Sequence, residues 1–142
     1  MFIKQISIVL DNVPGAMSHV SEILGREGVN IRAISVADTS DISTVRFVVD
    51  DPVRALNILK ANGFSTKETD VLAVETPDHP GGLNAVLKPL KAAHINVHYL
   101  YPHLGRIGGQ AVVILGVDKL EEAQEILKQN WVKTLGKEVY AI

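Results

Sequence analysis

The chain has 142 residues, a formal net charge of -2, 46% hydrophobic residues and 21% charged ones, a balance that excludes a disordered chain and supplies no basic footprint for nucleic acid or an anionic membrane. Cysteine is absent, which excludes disulfides, thiol catalysis and thiolate metal sites together. The N-terminal stretch lacks the order of a signal peptide and no apolar run approaches the ~20 residues of a membrane span, so a cytoplasmic protein with neither nucleic acid nor membrane as partner is expected.

Phe2 to Leu10 alternates as a strand, with Ile6, Ile8 and Leu10 on one face and Gln5 and Ser7 on the other, beside Ile3 and Val9. From Pro14 the apolar residues Met17, Val20, Ile23 and Leu24 recur at helical spacing until Gly28 stops the helix. Val29 to Ala37 and Ile42 to Val49 read as strands joined by the turn Asp38-Thr39-Ser40-Asp41. Asp51 then caps a helix with Pro52 at its first position and Ala55, Leu56 and Leu59 facing inward, and Asn62-Gly63 ends it. The chain becomes extended again through Val71 to Glu75, with no Gly, Pro or Ser-rich spacer between Thr66 and Pro77.

A helix from about Gly81 to Ala93 carries Leu83, Val86, Leu87 and Leu90 on one face, with a kink expected at Pro89. Ile95 to Tyr101 is a strand, Pro102 to Gly109 a glycine-bearing turn and Gln110 to Val117 an apolar strand. Asp118 and Glu121 resemble a capping box for a helix carrying Leu120, Ala123, Ile126 and Leu127, and Val132 to Ile142 closes the chain as an extended segment with a bulge or turn at Gly136.

The second half repeats the first. A shift of 66 positions carries Pro14 onto Pro80, Gly15 onto Gly81, Val20 onto Val86, Leu24 onto Leu90 and Asn30 onto Asn96, so one supersecondary unit is used twice, over 1–69 and 70–142. Each unit is a βαββαβ arrangement of the ferredoxin-like α+β class, an antiparallel sheet with helices on one face. In each, a strand ends in a polar residue, turns on Pro-Gly and presents the first N–H groups of a helix, a place suited to a small anion. The uncovered sheet face predicts that the two units pair and that the chain forms a homodimer.

Asp11-Asn12-Val13-Pro14-Gly15, a helix and then Gly28-Val29-Asn30-Ile31 resemble the ACT domain, the amino-acid-binding regulatory module attached to many enzymes of amino-acid metabolism. Asp78-His79-Pro80-Gly81 with Ile95-Asn96-Val97 repeats the signature less closely, so the resemblance covers the chain as two tandem copies. It implies a regulatory protein that binds a free amino acid where two ACT units meet and modulates an enzyme of amino-acid metabolism. The residues it points to are Asn12, Val13, Gly15, Asn30 and Ile31 in the first copy and Asp78, His79, Gly81 and Asn96 in the second. Asn12 is neutral where Asp78 is acidic, so a carboxylate is expected to prefer the first loop. An ACT-type interaction or oligomerisation module without ligand is the alternative.

No cofactor, metal or catalytic residue is expected. His94 and His98 have i, i+4 spacing but fall across a helix end and a strand. Gly105-Arg106-Ile107-Gly108-Gly109 lies between two strands, where glycines serve a hairpin turn. His103 reads as a turn residue and His19 as an outward helix residue.

Overall fold

Alternation of apolar with polar side chains builds β1 (Ile3–Asp11), whose Ile6, Ile8 and Leu10 pack against α1 (Ala16–Arg26) and α2 (Pro52–Ala61). This is a computed structural model, and it describes residues 2–106 and 108–141. The order continues with β2 (Ile31–Asp38) and β3 (Ile42–Val49) before α2, and with β4 (Thr66–Thr76), α3 (Gly82–Ala92), β5 (Val97–Pro102), β6 (Ala111–Val117), α4 (Leu120–Gln129), β7 (Thr134–Leu135) and α5 (Glu138–Ala141) after it. The βαββαβ pattern thus occurs twice, with β4 serving both copies as a single strand of 11 residues. Residues 4–69 form one compact unit, and residues 1–3 with 70–142 form the other.

In the first unit β3 pairs antiparallel with β1 and with β2. Val45, Phe47 and Val49 of β3 join the β1 side chains under Val20 and Leu24 of α1 and Ala55 and Leu59 of α2. In the second unit β6 pairs with β4 and β5, and β7 lies along the other side of β4. Leu72, Val74 and Leu115 lie under Val86 and Leu90 of α3 and Ala123 and Leu127 of α4. Burial of each Val, Leu, Ile or Phe among them is worth about 1.5–3 kcal/mol, so these layers supply the main driving force of each unit.

Four expectations from the sequence change in the structure. Asp118 does not open a capping box, because its Oδ1 accepts the Asn96 N–H at 3.0 Å; Lys119 takes the cap position of α4 and no side chain caps it. The C-terminal segment is not extended throughout, since β7 ends at Leu135 and α5 follows after Gly136. Leu83 is 39% exposed instead of facing the core. His103 is buried, not a turn residue: the Gly105 N–H donates to its Nδ1 at 2.9 Å, so Nε2 carries the proton and donates to the Val139 carbonyl at 2.8 Å. Helix α3 continues through Pro89 as one element. Ile107, within the expected glycine-bearing turn, and Ile142, at the end of the expected last strand, lie outside the described residues.

Gly116 pairs across the ladder with Tyr99, and a β-carbon there would collide with the Tyr99 ring. Gly116→Ala is therefore expected to destabilise the protein by about 1–3 kcal/mol through overpacking, read as a lower urea midpoint at unchanged slope. An unaltered midpoint would show that the ring moves aside freely.

Candidate functional site

The two strand-to-helix loops fold in the same way. Gly15 sits at φ 87° immediately before α1 and Gly81 at φ 82° immediately before α3, both in the left-handed region that glycine enters without steric penalty. The Ala16 N–H donates to the Val13 carbonyl at 3.3 Å and the Gly82 N–H to the His79 carbonyl at 2.9 Å, which closes each turn. His19 then bonds back to Gly15, and Ala85 to Gly81. Among the described residues this leaves the N–H groups of Met17 and Ser18 in α1, and of Leu83 and Asn84 in α3, without backbone partners. Neither helix has a capping side chain or an acidic residue in its first turn. Each therefore directs two free donors and the positive end of its dipole at the loop, the arrangement that holds a carboxylate.

Asn12 is fixed beside the first of these turns. Its N–H donates to the Asp41 carbonyl and its side-chain Nδ2 to the Thr39 carbonyl, both at 2.9 Å, which ties the loop to the β2–β3 hairpin and leaves Oδ1 and the second Nδ2 hydrogen available. Val13 is exposed. Asn30 and Ile31 lie elsewhere. The Asn30 N–H donates to Asp50 Oδ1 at 2.9 Å and the Asp50 N–H returns to the Asn30 carbonyl at 3.0 Å, a clasp that aligns the start of β2 with the end of β3. Asn96 and Asp118 repeat the clasp at 3.0 and 3.2 Å. The Asn30 carboxamide is exposed, whereas Asn96 Nδ2 donates to Nδ1 of His98 at 3.2 Å.

The register measures how far apart these groups are. Asp11, at the loop, pairs with Ile42, while Ile31 pairs with Val49, so the loop and Asn30 of one unit are separated by most of β3, roughly 23 Å. In the second unit Thr76 pairs with Ala111 and Val97 with Val117, again roughly 20 Å. One small molecule cannot touch both groups of the same unit.

The second loop has partners that sequence reasoning missed. Arg106 donates from Nη2 to Asp78 Oδ2 at 2.8 Å and from Nη1 to the Gly109 carbonyl at 3.2 Å, which fastens the β5–β6 loop to the β4–α3 loop. The residue is 28 positions away in the chain, and no local pattern marks such a pairing. His79 Nδ1 lies 2.9 Å from the Pro80 carbonyl. Asp78 and His79 form the polar rim of a cleft of about 630 Å³ whose apolar wall includes Leu83, Leu100 and Pro102. Among the described residues no group of three or more His, Asp or Glu side chains is placed to hold a metal, and no helix is long and apolar enough to cross a membrane.

The family model described as an ACT domain pair matches residues 1–140. Among solved structures, protein BT0572 from Bacteroides thetaiotaomicron is 32% identical, with a TM-score of 0.92 over 100% of this chain and 98% of that one. The regulatory subunit of aspartate kinase from Thermus thermophilus is 18% identical, with a TM-score of 0.64 over 90% of this chain and 92% of its own. That from Thermus flavus is 16% identical, at 0.62 over 90% and 92%. No curated protein matches the chain.

The duplicated clasp gives a direct test of what Asp50 and Asp118 do. Asp50→Ala and Asp118→Ala each remove an acceptor of a backbone N–H, and each is expected to lower stability by about 1 kcal/mol, with Asn at either position restoring most of it. Denaturant midpoints of the four variants check this; equal midpoints for Ala and Asn would assign the clasp no energetic role.

Proposed function

The chain belongs to the ACT domain pair family, and from that premise we propose that it is a regulatory protein that senses a free amino acid and passes its bound state to an enzyme of amino-acid metabolism. The observation that carries this reading is the twice-built turn in which a left-handed glycine leaves a helix N-terminus uncapped and facing solvent. In this proposal the α-carboxylate lies on the free N–H groups beside Gly15, with Asn12 and Val13 as the adjoining wall. Asn30 and Ile31 act from a neighbouring ACT unit, since their own unit places them too far from its loop. Asp78, His79, Gly81 and Asn96 are the second set. The likeness of fold to proteins named as regulatory subunits of aspartate kinase supports a regulatory and non-catalytic role.

The protein works in the cytoplasm as a homodimer in this reading. Val9 and Ile42 are exposed on the sheet face away from the helices, an apolar surface that a second copy would cover. Light scattering at micromolar concentration is expected to give the mass of a dimer, and a monomer there would remove this part of the proposal. An oligomerisation module without ligand is the second reading. It is favoured by the amide groups already committed inside the fold, Nδ2 of Asn12 to Thr39 and of Asn96 to His98.

Calorimetric titration with the free amino acids separates the two readings, because the module without ligand binds none of them. In the sensor, Asn30→Ala removes a charge-assisted hydrogen bond and is expected to weaken binding by more than about tenfold. A β-carbon at Gly15 or Gly81 meets no atom within 4 Å, so substitution there acts through the strained φ and by crowding the anion. Because Asn12 is neutral and Asp78 acidic, Gly15→Val is expected to abolish binding and Gly81→Val to reduce it, with thermal melts confirming folding. Equal losses would make the loops equivalent, and a larger loss at Gly81 would reverse the assignment.

A further inference from the structure

The two copies end their second helices with the same hydrogen bonds. In the first, Asn62 Nδ2 donates to the Ile58 carbonyl, Gly63 N–H to Lys60 and Phe64 N–H to Leu59; in the second, Asn130 Nδ2 donates to Ile126, Trp131 N–H to Lys128 and Val132 N–H to Leu127. The residue at the left-handed position is Gly63 at φ 85° in one and Trp131 at φ 62° in the other. Glycine suits this position and a bulky side chain is an outlier there. His94 also replaces a glycine, Gly28, at the end of the first helix of the second copy, but histidine is among the residues that tolerate the region.

Trp131 gains nothing from packing in return. It is 95% exposed, so its indole is open to solvent, and the residue borders a cleft of about 240 Å³ lined from β4, α3 and the α4–β7 connection. Val86, Pro77 and Val132 give this cleft apolar walls. Thr76 also lines it, is only 6% exposed, and among the described residues its Oγ1 has no hydrogen-bond partner. A buried hydroxyl without a partner is uncommon and calls for a specific explanation. The Glu75 and Lys133 side chains, 3.6 Å apart, stand at the same cleft.

We propose that this cleft, which adjoins the β4–α3 loop at Pro77, is a second ligand site, which takes a planar aromatic ring bearing a hydrogen-bonding group on its edge. The ring stacks on Trp131 and the edge group pairs with the Thr76 hydroxyl. Size agrees with this class: a cavity of about 150 Å³ accommodates benzene, so about 240 Å³ suits a ring system of indole or nucleobase dimensions. Stacking on an open indole face and one satisfied buried hydroxyl are the two contributions that the site is built to make. A free aromatic metabolite and a nucleobase share this chemistry.

Trp131 is the only tryptophan in the chain, so its fluorescence reports on the site alone. Titration of the full-length protein with adenosine, read by this fluorescence, and with indole, read by saturation-transfer NMR because indole emits in the same band, is expected to give saturable binding with at least one of them and none with cyclohexanol; which ring compound acts identifies the source. Thr76→Val, which keeps the shape and deletes the hydroxyl, is expected to weaken that binding about fivefold. Trp131→Gly reproduces the Gly63 arrangement and is expected to melt at the same or a higher temperature while losing ring binding by at least tenfold in saturation-transfer NMR. Absence of a saturable change with both ring compounds, or a Trp131→Gly variant that binds like the parent, would overturn the proposal.

Discussion

A single constraint recurs at the head of each unit: the chain must leave a strand and start a helix that lies back across the same sheet within a few residues. A residue with φ above 80° does this in both copies, at Gly15 and Gly81. Any residue with a β-carbon would lose roughly 1–2 kcal/mol there. The rest of each unit follows from that turn. It sets the direction of the first helix, which places Val20 and Leu24, or Val86 and Leu90, over the sheet. It also fixes which N–H groups remain unpaired, so the feature that completes the core is the one on which the proposed anion site rests.

Comparing the copies separates what the fold needs from what it can vary. The backbone clasps Asn30–Asp50 and Asn96–Asp118 are alike, as are the Asn62 and Asn130 helix ends. These hold registers and stop helices, and either copy would be weakened without them. Other matched positions diverge. Ala16 at the start of α1 corresponds to Gly82 in α3, where a β-carbon would collide with the Pro77 carbonyl, so the second loop is drawn tighter than the first. Trp131 in place of glycine forfeits roughly 1–2 kcal/mol of a total stability that is ordinarily only about 5–15 kcal/mol, and its exposed ring returns none of it by burial.

Much of this was readable from the residues because the signals were local. Period-2 and period-3.6 patterns mark β1, α1, β3 and α3, Asp51 with Pro52 marks the start of α2, and a missing spacer marks β4 as one strand. The readings that failed depend on partners distant in the chain. Asp118 looks like a cap until Asn96, 22 positions earlier, claims its carboxylate. His103 looks like a turn residue until Val139, 36 positions later, accepts a hydrogen bond from its Nε2. The last segment looks extended because Val132 and Leu135 are apolar, yet the strand β7 that pairs with β4 is two residues long and a helix follows it. Arg106 reads only as part of a glycine-rich turn, and Trp131 carries no motif. Their meaning comes from Asp78 across the loop and from Gly63 in the other copy.

The pairing of Arg106 with Asp78 also alters how the second loop should be viewed. An isolated carboxylate beside a helix N-terminus would occupy the place of an anionic ligand and repel it. With the guanidinium 2.8 Å away, the loop is close to neutral, and both side chains remain more than half exposed. Exposed pairs of this kind are worth about 0–1 kcal/mol, so separating the two groups demands little. A zwitterion could then meet the carboxylate with its ammonium group and the guanidinium with its carboxylate, exchanging one weak pair for two. At the first loop Asn12 is neutral, with Oδ1 and one Nδ2 hydrogen still available after Nδ2 donates to the Thr39 carbonyl. The two loops therefore share a backbone but differ in the charges beside it. In the proposed sensor, Asp78 ranks the second loop below the first for a bare carboxylate without closing it to a molecule that carries both charges.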